Sequence, residues 1–193
     1  ETYAAASKAS NKTALSDAYV NFFRWGTDRL NRRDGMLCLV SNNSFIEQVA
    51  FDGFRKHVRR DFDDLFHIDL EGNVRANPKL SGTDYNVFGI QLGVGITVAV
   101  RSRSKPNAKR PIKFRRVDKT PRRENKLAWL AQQQSIGHGK WQQLLPENDE
   151  YWLVPDHADE FKPLVPIAAR SAKAGLPGAP NVVLREFSRG VAT

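Results

Sequence analysis

Residues 15–46, LSDAYVNFFRWGTDRLNRRDGMLCLVSNNSFI, constrain the fold more tightly than any other stretch of this 193-residue chain. Leu15, Tyr19, Phe22, Phe23, Gly26 and Leu30 follow the three-and-four spacing that predicts one apolar face of a helix. Arg29, Arg32 and Arg33 crowd its last turn, where positive charge suits the negative end of the helix dipole, and Asp34-Gly35 stops it. Met36–Val40 is apolar without alternation, which predicts a strand covered on both faces. The polar cluster Ser41-Asn42-Asn43-Ser44 follows at the carboxyl end of that strand, the place where open α/β sheets bind ligands. Ser41 and Asn42 are therefore candidates for a cleft edge, with capping of the next helix as their competing role.

The next segments extend the pattern. Ser44-Phe45-Ile46-Glu47 is a capping-box sequence, and Ile46, Val49, Ala50, Phe54 and Val58 predict the inner face of a second helix that ends in the basic stretch from Arg55 to Arg60. Leu65–Leu70 reads as a short strand. Helix, strand, helix, strand is the order of a doubly wound α/β sheet. Val94–Val100 predicts another strand, and Gly89, Gly93 and Gly95 before and within it point to a bulge or a close backbone approach. Pro111–Val117 is expected to return beside it as a hairpin, with Arg101–Arg110 as the turn. Arg122–Gln134 predicts a helix with Leu127, Trp129 and Leu130 inward. The resulting organisation is an entry loop over 1–13, an α/β unit over 14–120, a helical and irregular extension over 121–165, and a Pro/Gly/Ala-rich linker over 166–193.

Charge is localised. The net charge is +9, yet Arg101–Lys126 alone holds twelve basic residues against Asp118 and Glu124, so the remainder is close to neutral. A cation block of that size draws a polyanion, because each neutralised phosphate releases condensed counterions. Arg101, Arg103, Lys105, Lys109, Arg110, Arg115 and Arg116 are the candidate contacts to the backbone of such a polyanion, with a solvated loop that has no partner as the competing role.

Other chemistry is excluded by what is missing. The sequence has no GxxxxGK[ST] phosphate loop, no HExxH and no cysteine pair for zinc. His57, His67, His138 and His157 lack metal-ligand spacing, so no metal site is expected, and the single Cys38 reads as a buried structural thiol. No apolar run is long enough to span a membrane and no secretory leader opens the chain, which leads to an expectation of a cytoplasmic protein.

Three stretches taken together resemble a known family. Asp17-Ala-Tyr19-Val-x-Phe22-x-Arg24-Trp25-x-x-Asp28-Arg29, Gly35-Met-Leu-x-x-Val40-x-Asn42-x-Ser44-Phe45 and Asn86-Val87-Phe88-Gly89-Ile90-Gln91-x-Gly93-Val94-x-Ile96 look like the catalytic half of adenine-specific DNA methyltransferases. The likeness is to the large single-chain restriction–modification enzymes of type ISP, which join a helicase-like motor, an amino-methyltransferase and a target-recognition domain. It runs in order through most of residues 1–165, continuing through Arg123-Glu-Asn-Lys126-Leu127, Trp141, Pro146, Trp152 and Phe161.

That resemblance implies a partial Rossmann-like fold of the S-adenosylmethionine-dependent methyltransferases, a mixed sheet with flanking helices, in which 14–120 is the C-terminal half of the catalytic domain. It places the cofactor's glycine-rich loop and the catalytic Asn-Pro-Pro-Tyr upstream of Glu1 and the target-recognition domain beyond Thr193. Asn77-Pro78 is followed by Lys79 and does not replace the catalytic motif. The implied activity is methyl transfer from S-adenosylmethionine to the exocyclic amine of adenine in DNA, absent from this chain by itself. Tyr19 matches an aromatic that lies against the cofactor's adenine, and Phe88 one that stacks on the flipped-out base, which an enzyme modifying a base must extract and hold. The rival expectation is a non-catalytic nucleic-acid-binding module of methyltransferase-like fold. A sheet lacking its first strands is also expected to leave an open edge and poor solubility.

Overall fold

A computed structural model describes residues 2–31, 33–75, 83–102, 111–146, 151–155, 163–165 and 183. The chain divides into two compact units, Glu1–Pro155 and Asp156–Thr193. The expected linker over 166–193 lies outside the described residues except for Val183, as does the segment that carries Arg103, Lys105, Lys109 and Arg110.

The first unit is built on a five-stranded mixed sheet flanked by helices. In chain order its elements are α1 (Tyr3–Ala6), α2 (Ala18–Leu30), β1 (Gly35–Asn42), α3 (Asp52–Asp61), β2 (Asp64–Asp69), β3 (Val94–Arg101), β4 (Ile112–Arg116), α4 (Arg123–Gln132) and β5 (Gln142–Leu144), with short 3-10 turns between some of them. The strand order is β1-β3-β2-β4-β5. β3 runs antiparallel to both β1 and β2, with Asn42 opposite Val94 and Asp69 opposite Gly95, so β1 and β2 share one direction with β3 lodged between them. β4 lies parallel to β2, placing Arg116 opposite Asp69. The carboxyl ends of β1, β2 and β4 and the start of β3 therefore meet along one edge. This is the mixed α/β architecture expected from the sequence, with its parallel strands interrupted by an antiparallel one, as in a partial Rossmann-like methyltransferase sheet.

Helices α2 and α3 cover one face through a core of aromatic rings. Phe45 sits at its centre, 5.5 Å from Phe23, 5.3 Å from Phe54 and 5.7 Å from the His67 ring, each measured between centroids. Val20, Phe51, Val58, Leu65, Ala99, Ile112 and Phe114 close around them. Each buried Phe or Leu contributes roughly 1.5–3 kcal/mol, so this cluster outweighs any surface ion pair as the source of stability. A smaller core on the other face joins Leu70, Val87, Val94 and Val117 to Ile68, Ile96, Trp129 and Leu130.

Several local expectations are corrected. Phe22 points outward at 61% exposure and lines an open groove of about 390 Å³ with Ala18, Asn21 and Trp25, while Val20, Phe23, Gly26 and Thr27 form the buried face of α2. β1 is not covered on both faces. Leu37 and Leu39 pack on the aromatic core, but Met36, Val40 and Cys38 are exposed, so the thiol is not a buried structural one. The second helix starts later than its capping box suggests: 3-10 turns occupy Asn43–Ile46 and Val49–Phe51 before α3, and Val49 is exposed. Arg55 of its basic stretch is fully buried, because its Nη1 donates to the carbonyls of Phe45 at 2.6 Å and Gln48 at 2.8 Å and fastens that turn to α3. β4 is no hairpin partner of β3, since it crosses to the far side of β2. In α4, finally, Lys126 is buried where Leu127 was expected, and Leu127 is exposed. Among the described residues no helix is long and apolar enough to cross a membrane.

Candidate nucleic-acid interface

The shared edge of the sheet is braced by side chains that the first core leaves over. Asn42 caps the turn after β1, its Oδ1 accepting from the amide and the hydroxyl of Ser44, both at 2.8 Å. Ser41 is buried beside it and donates weakly, at 3.4 Å, to the Asn42 carbonyl. Both cleft-edge candidates are thus occupied with shaping the turn. Their neighbour Asn43 reaches across instead: its Nδ2 donates to Asp69 at 2.5 Å, and its amide donates to the Gly93 carbonyl at 2.9 Å. Asp69 also accepts from the Glu71 amide at 2.8 Å and from Arg116 Nε at 2.7 Å, and the same Nε lies 3.0 Å from Glu71. Burial pushes the Glu71 carboxyl up, reinforced by the neighbouring Asp69, against the pull of Arg116, Lys119 and Lys126.

Beneath Asn43 lies a buried polar pair. His67 Nδ1 is 2.9 Å from the Thr97 hydroxyl, while His67 Nε2 and Asn43 Oδ1 have no hydrogen-bond partner among the described residues. Gly95 fits against both: a Cβ there would collide with Asn43 Oδ1 and stand 2.7 Å from His67 Nε2 and Cε1. The close backbone approach foreseen for these glycines occurs at this position. Gly95→Ala is expected to cost roughly 1–3 kcal/mol through overpacking, read as a lowered urea midpoint at unchanged slope. A variant as stable as the parent would remove this account of Gly95.

His67 also makes the fold sensitive to acid. Burial holds its imidazolium pKa down to about 4, assisted by Arg116 and opposed by Asp69. An unfolded chain protonates the same ring near pH 6.5, so between those values the unfolded state binds the extra proton and stability falls as pH falls. The loss amounts to about 3 kcal/mol by pH 4. Urea denaturation of the parent and of His67→Gln from pH 7 to pH 4 should show the parent losing more; parallel curves would rule out His67 as the source.

A second brace presents Phe88. Asn86 is fully buried and holds the turn from within: its Nδ2 donates to the carbonyls of Leu92 at 2.6 Å and Gly72 at 3.3 Å, and its Oδ1 accepts from the amides of Phe88 at 2.9 Å and Ile90 at 3.4 Å. Lys126 Nζ enters from α4 and donates to the carbonyls of Leu70 and Tyr85, each at 2.8 Å, tying the exit of β2 to the start of the Phe88 turn. Burial draws the lysine's pKa down, and Glu71 and Asp69 oppose that shift. Gly89 closes the turn at φ +69°, a left-handed conformation that favours glycine. The Phe88 side chain itself stays 61% exposed. The turn beneath this exposed phenyl ring is thus held by a buried asparagine and a buried lysine, which leaves the ring's surface open as a platform on which a flat ligand could stack.

The remaining candidates do not converge on that platform. Tyr19 packs 6.1 Å from Phe45 and from Phe51, within the aromatic core. Its hydroxyl is buried with no partner among the described residues, and burial pushes its pKa up. Arg101 lies at the other end of β3, roughly 23 Å along the strand from Val94, where its Nε donates to the Asp61 carbonyl at 2.6 Å and its guanidinium covers Phe62. Arg115 donates to Gln133 at 2.7 Å and stacks over Trp129, and Arg116 is held by Asp69 and Glu71. The described members of the basic hairpin expected from the sequence, Arg101 on one side and Arg115 and Arg116 on the other, thus lie at opposite ends of the sheet's strands. Among the described residues no cluster of acidic, histidine or cysteine side chains is placed to hold a metal. Asn43, Asn86 and Lys126 fall within patterns that the sequence displays but received no role of their own there; an Asn two positions before an exposed aromatic and a Gly one after it is the signal that could have assigned one to Asn86.

No family model and no curated protein matches this sequence. Solved structures do, and they share its mixed α/β fold. Over 90% of its length the chain is similar to part of DrdV in a DrdV–DNA complex, with 34% identity, a TM-score of 0.72 and 17% of that chain covered. The ATP-dependent type ISP restriction–modification enzyme LlaBIII, bound to DNA, matches 86% of the chain at 24% identity and a TM-score of 0.73, with 11% of its own length covered. A nuclease-deletion mutant of the type ISP restriction–modification enzyme LlaGI, in complex with a DNA substrate mimic, matches 88% at 24% identity and a TM-score of 0.73, with 14% covered. The chain therefore spans between 11% and 17% of the length of these three proteins.

Proposed function

We propose that this chain is the substrate-base side of an adenine-specific DNA methyltransferase belonging to a type ISP restriction–modification enzyme. Phe88 is the observation that carries the reading: an exposed aromatic, held on a braced turn at the carboxyl edge of an α/β sheet. A base extracted from duplex DNA needs such a face to stack on. The likeness to DNA-bound restriction–modification enzymes supports the same reading, as does the cationic balance of the chain.

S-adenosylmethionine is the implied cofactor, and it supplies an activated methyl group on a sulfonium. Within this chain the residue that would lie against its adenine is Tyr19, whose buried hydroxyl has no hydrogen-bond partner among the described residues. The target amine would be presented by Phe88, while the cofactor loop, the catalytic Asn-Pro-Pro-Tyr, the motor and the target-recognition domain belong to the rest of the enzyme. Contacts from the basic segment, including Arg103, Lys105, Lys109 and Arg110, would neutralise backbone phosphates.

Co-expression with a segment that supplies the cofactor loop and the catalytic tetrad tests this directly. The reconstituted pair should methylate adenine in DNA, and the 193-residue chain alone should not. A pair that associates and binds cofactor yet leaves DNA unmethylated transfers support to the non-catalytic binding module.

A further inference from the structure

Building on the base-holding role of Phe88, we infer that Arg123 grips the phosphate of the nucleotide whose base lies on that ring, so that aromatic and guanidinium act as one nucleotide clamp. The first turn of α4 brings Arg123 to the Phe88 turn, where its Nε donates to the Asn86 carbonyl at 3.3 Å and its backbone amide to the Asp84 carbonyl at 2.9 Å. Its Nη2 stands 2.9 Å from where a Cβ on Gly89 would project, so the guanidinium lies directly against the residue after Phe88. Nη1 and Nη2 carry no partner among the described residues. Adjacent α-carbons are only about 3.8 Å apart, so the guanidinium stands beside the residue that directly follows the exposed aromatic.

Four other cations of the basic block are otherwise engaged. Arg116 is held by Asp69 and Glu71, Lys126 is buried against two carbonyls, Arg115 is stacked on Trp129, and Arg101 belongs to the other end of β3. A guanidinium is the cation best shaped for phosphate, because its planar fork offers two parallel donors. Stacking accepts any base and leaves the nucleotide free to rotate about the ring normal; a second anchor on its phosphate removes that freedom.

The test uses the full chain and a short DNA duplex with 2-aminopurine opposite an abasic site, a base already unpaired and cheap to extrude. Binding by the parent protein should quench the 2-aminopurine as it stacks, and Phe88→Ala should abolish the quenching. Arg123→Gln should weaken affinity several-fold and lower the slope of log K against log salt by roughly 0.7–0.9, the share of one phosphate, while Arg123→Lys keeps the slope. A neutral methylphosphonate beside the 2-aminopurine should take the same share from the parent, which carries the test should Arg123→Gln fail to fold. An unchanged slope in these arms, with quenching intact in the parent and lost in Phe88→Ala, overturns the role of Arg123 alone and assigns it to holding Asn86. A parent that never quenches, or a Phe88→Ala variant that quenches equally, removes the base-holding reading and the clamp with it.

Discussion

Phe88→Ala in a reconstituted, active enzyme should lower turnover on adenine by roughly ten- to a hundredfold while DNA affinity changes far less. Loss of one base–aromatic stack amounts to roughly 1–3 kcal/mol. Under the proposed base-holding role the stack would form only after the base has left the duplex, so its loss would fall on the step that presents the amine to the cofactor. Phosphate contacts made elsewhere would sustain binding to the duplex. The side chain is exposed, and the turn beneath it is held by Asn86 through backbone amides, so the truncation leaves the fold intact. Methylation rates and binding isotherms measured side by side decide the matter. Equal loss of affinity and turnover would make Phe88 a general docking residue, and unchanged turnover would end its role.

Lys126→Met carries the largest expected effect on stability. Methionine nearly matches the lysine stem but has no Nζ to donate, leaving the Leu70 and Tyr85 carbonyls without that partner. Each orphaned group costs roughly 1–3 kcal/mol, so the variant should lose about 2–4 kcal/mol in urea denaturation. The damage should concentrate at the Phe88 turn, because that lysine joins it to the end of β2. Faster hydrogen exchange at the Phe88 and Ile90 amides, with β3 protected as before, is the expected signature. A change below about 0.5 kcal/mol would place Lys126 among ordinary surface lysines.

Much of the sheet was legible because apolar runs announce strands: the β2 and β3 spans follow directly from Leu65–Leu70 and Val94–Val100. What a run cannot announce is which of its faces will be covered. Met36, Cys38 and Val40 are as apolar as a buried strand requires, yet they remain open because α4 covers the sheet further along, over Ile68 and Ile96. Proximity in sequence also misled, since β4 follows β3 directly and still pairs with β2. Only the three-dimensional course of the chain decides between those partners, and with it the division of the described basic residues between opposite ends of the strands. Periodicity likewise favours Leu127 over Lys126. The lysine wins the interior because two carbonyls there need a donor and four methylenes can deliver one. Of the proposed site, Phe88 was suggested by family likeness, whereas the contacts of Asn43, Asn86 and Arg123 were not, because they reach partners as much as 37 residues away.

The placement of β3 also sets an order on assembly. Both of its neighbours leave the ribosome first, and neither β1 nor β2 can join the sheet until residues 94–101 arrive to lie between them. Their registration is a late, non-local event, so a nascent polypeptide halted short of Val94 holds two apolar ribbons with no zipper.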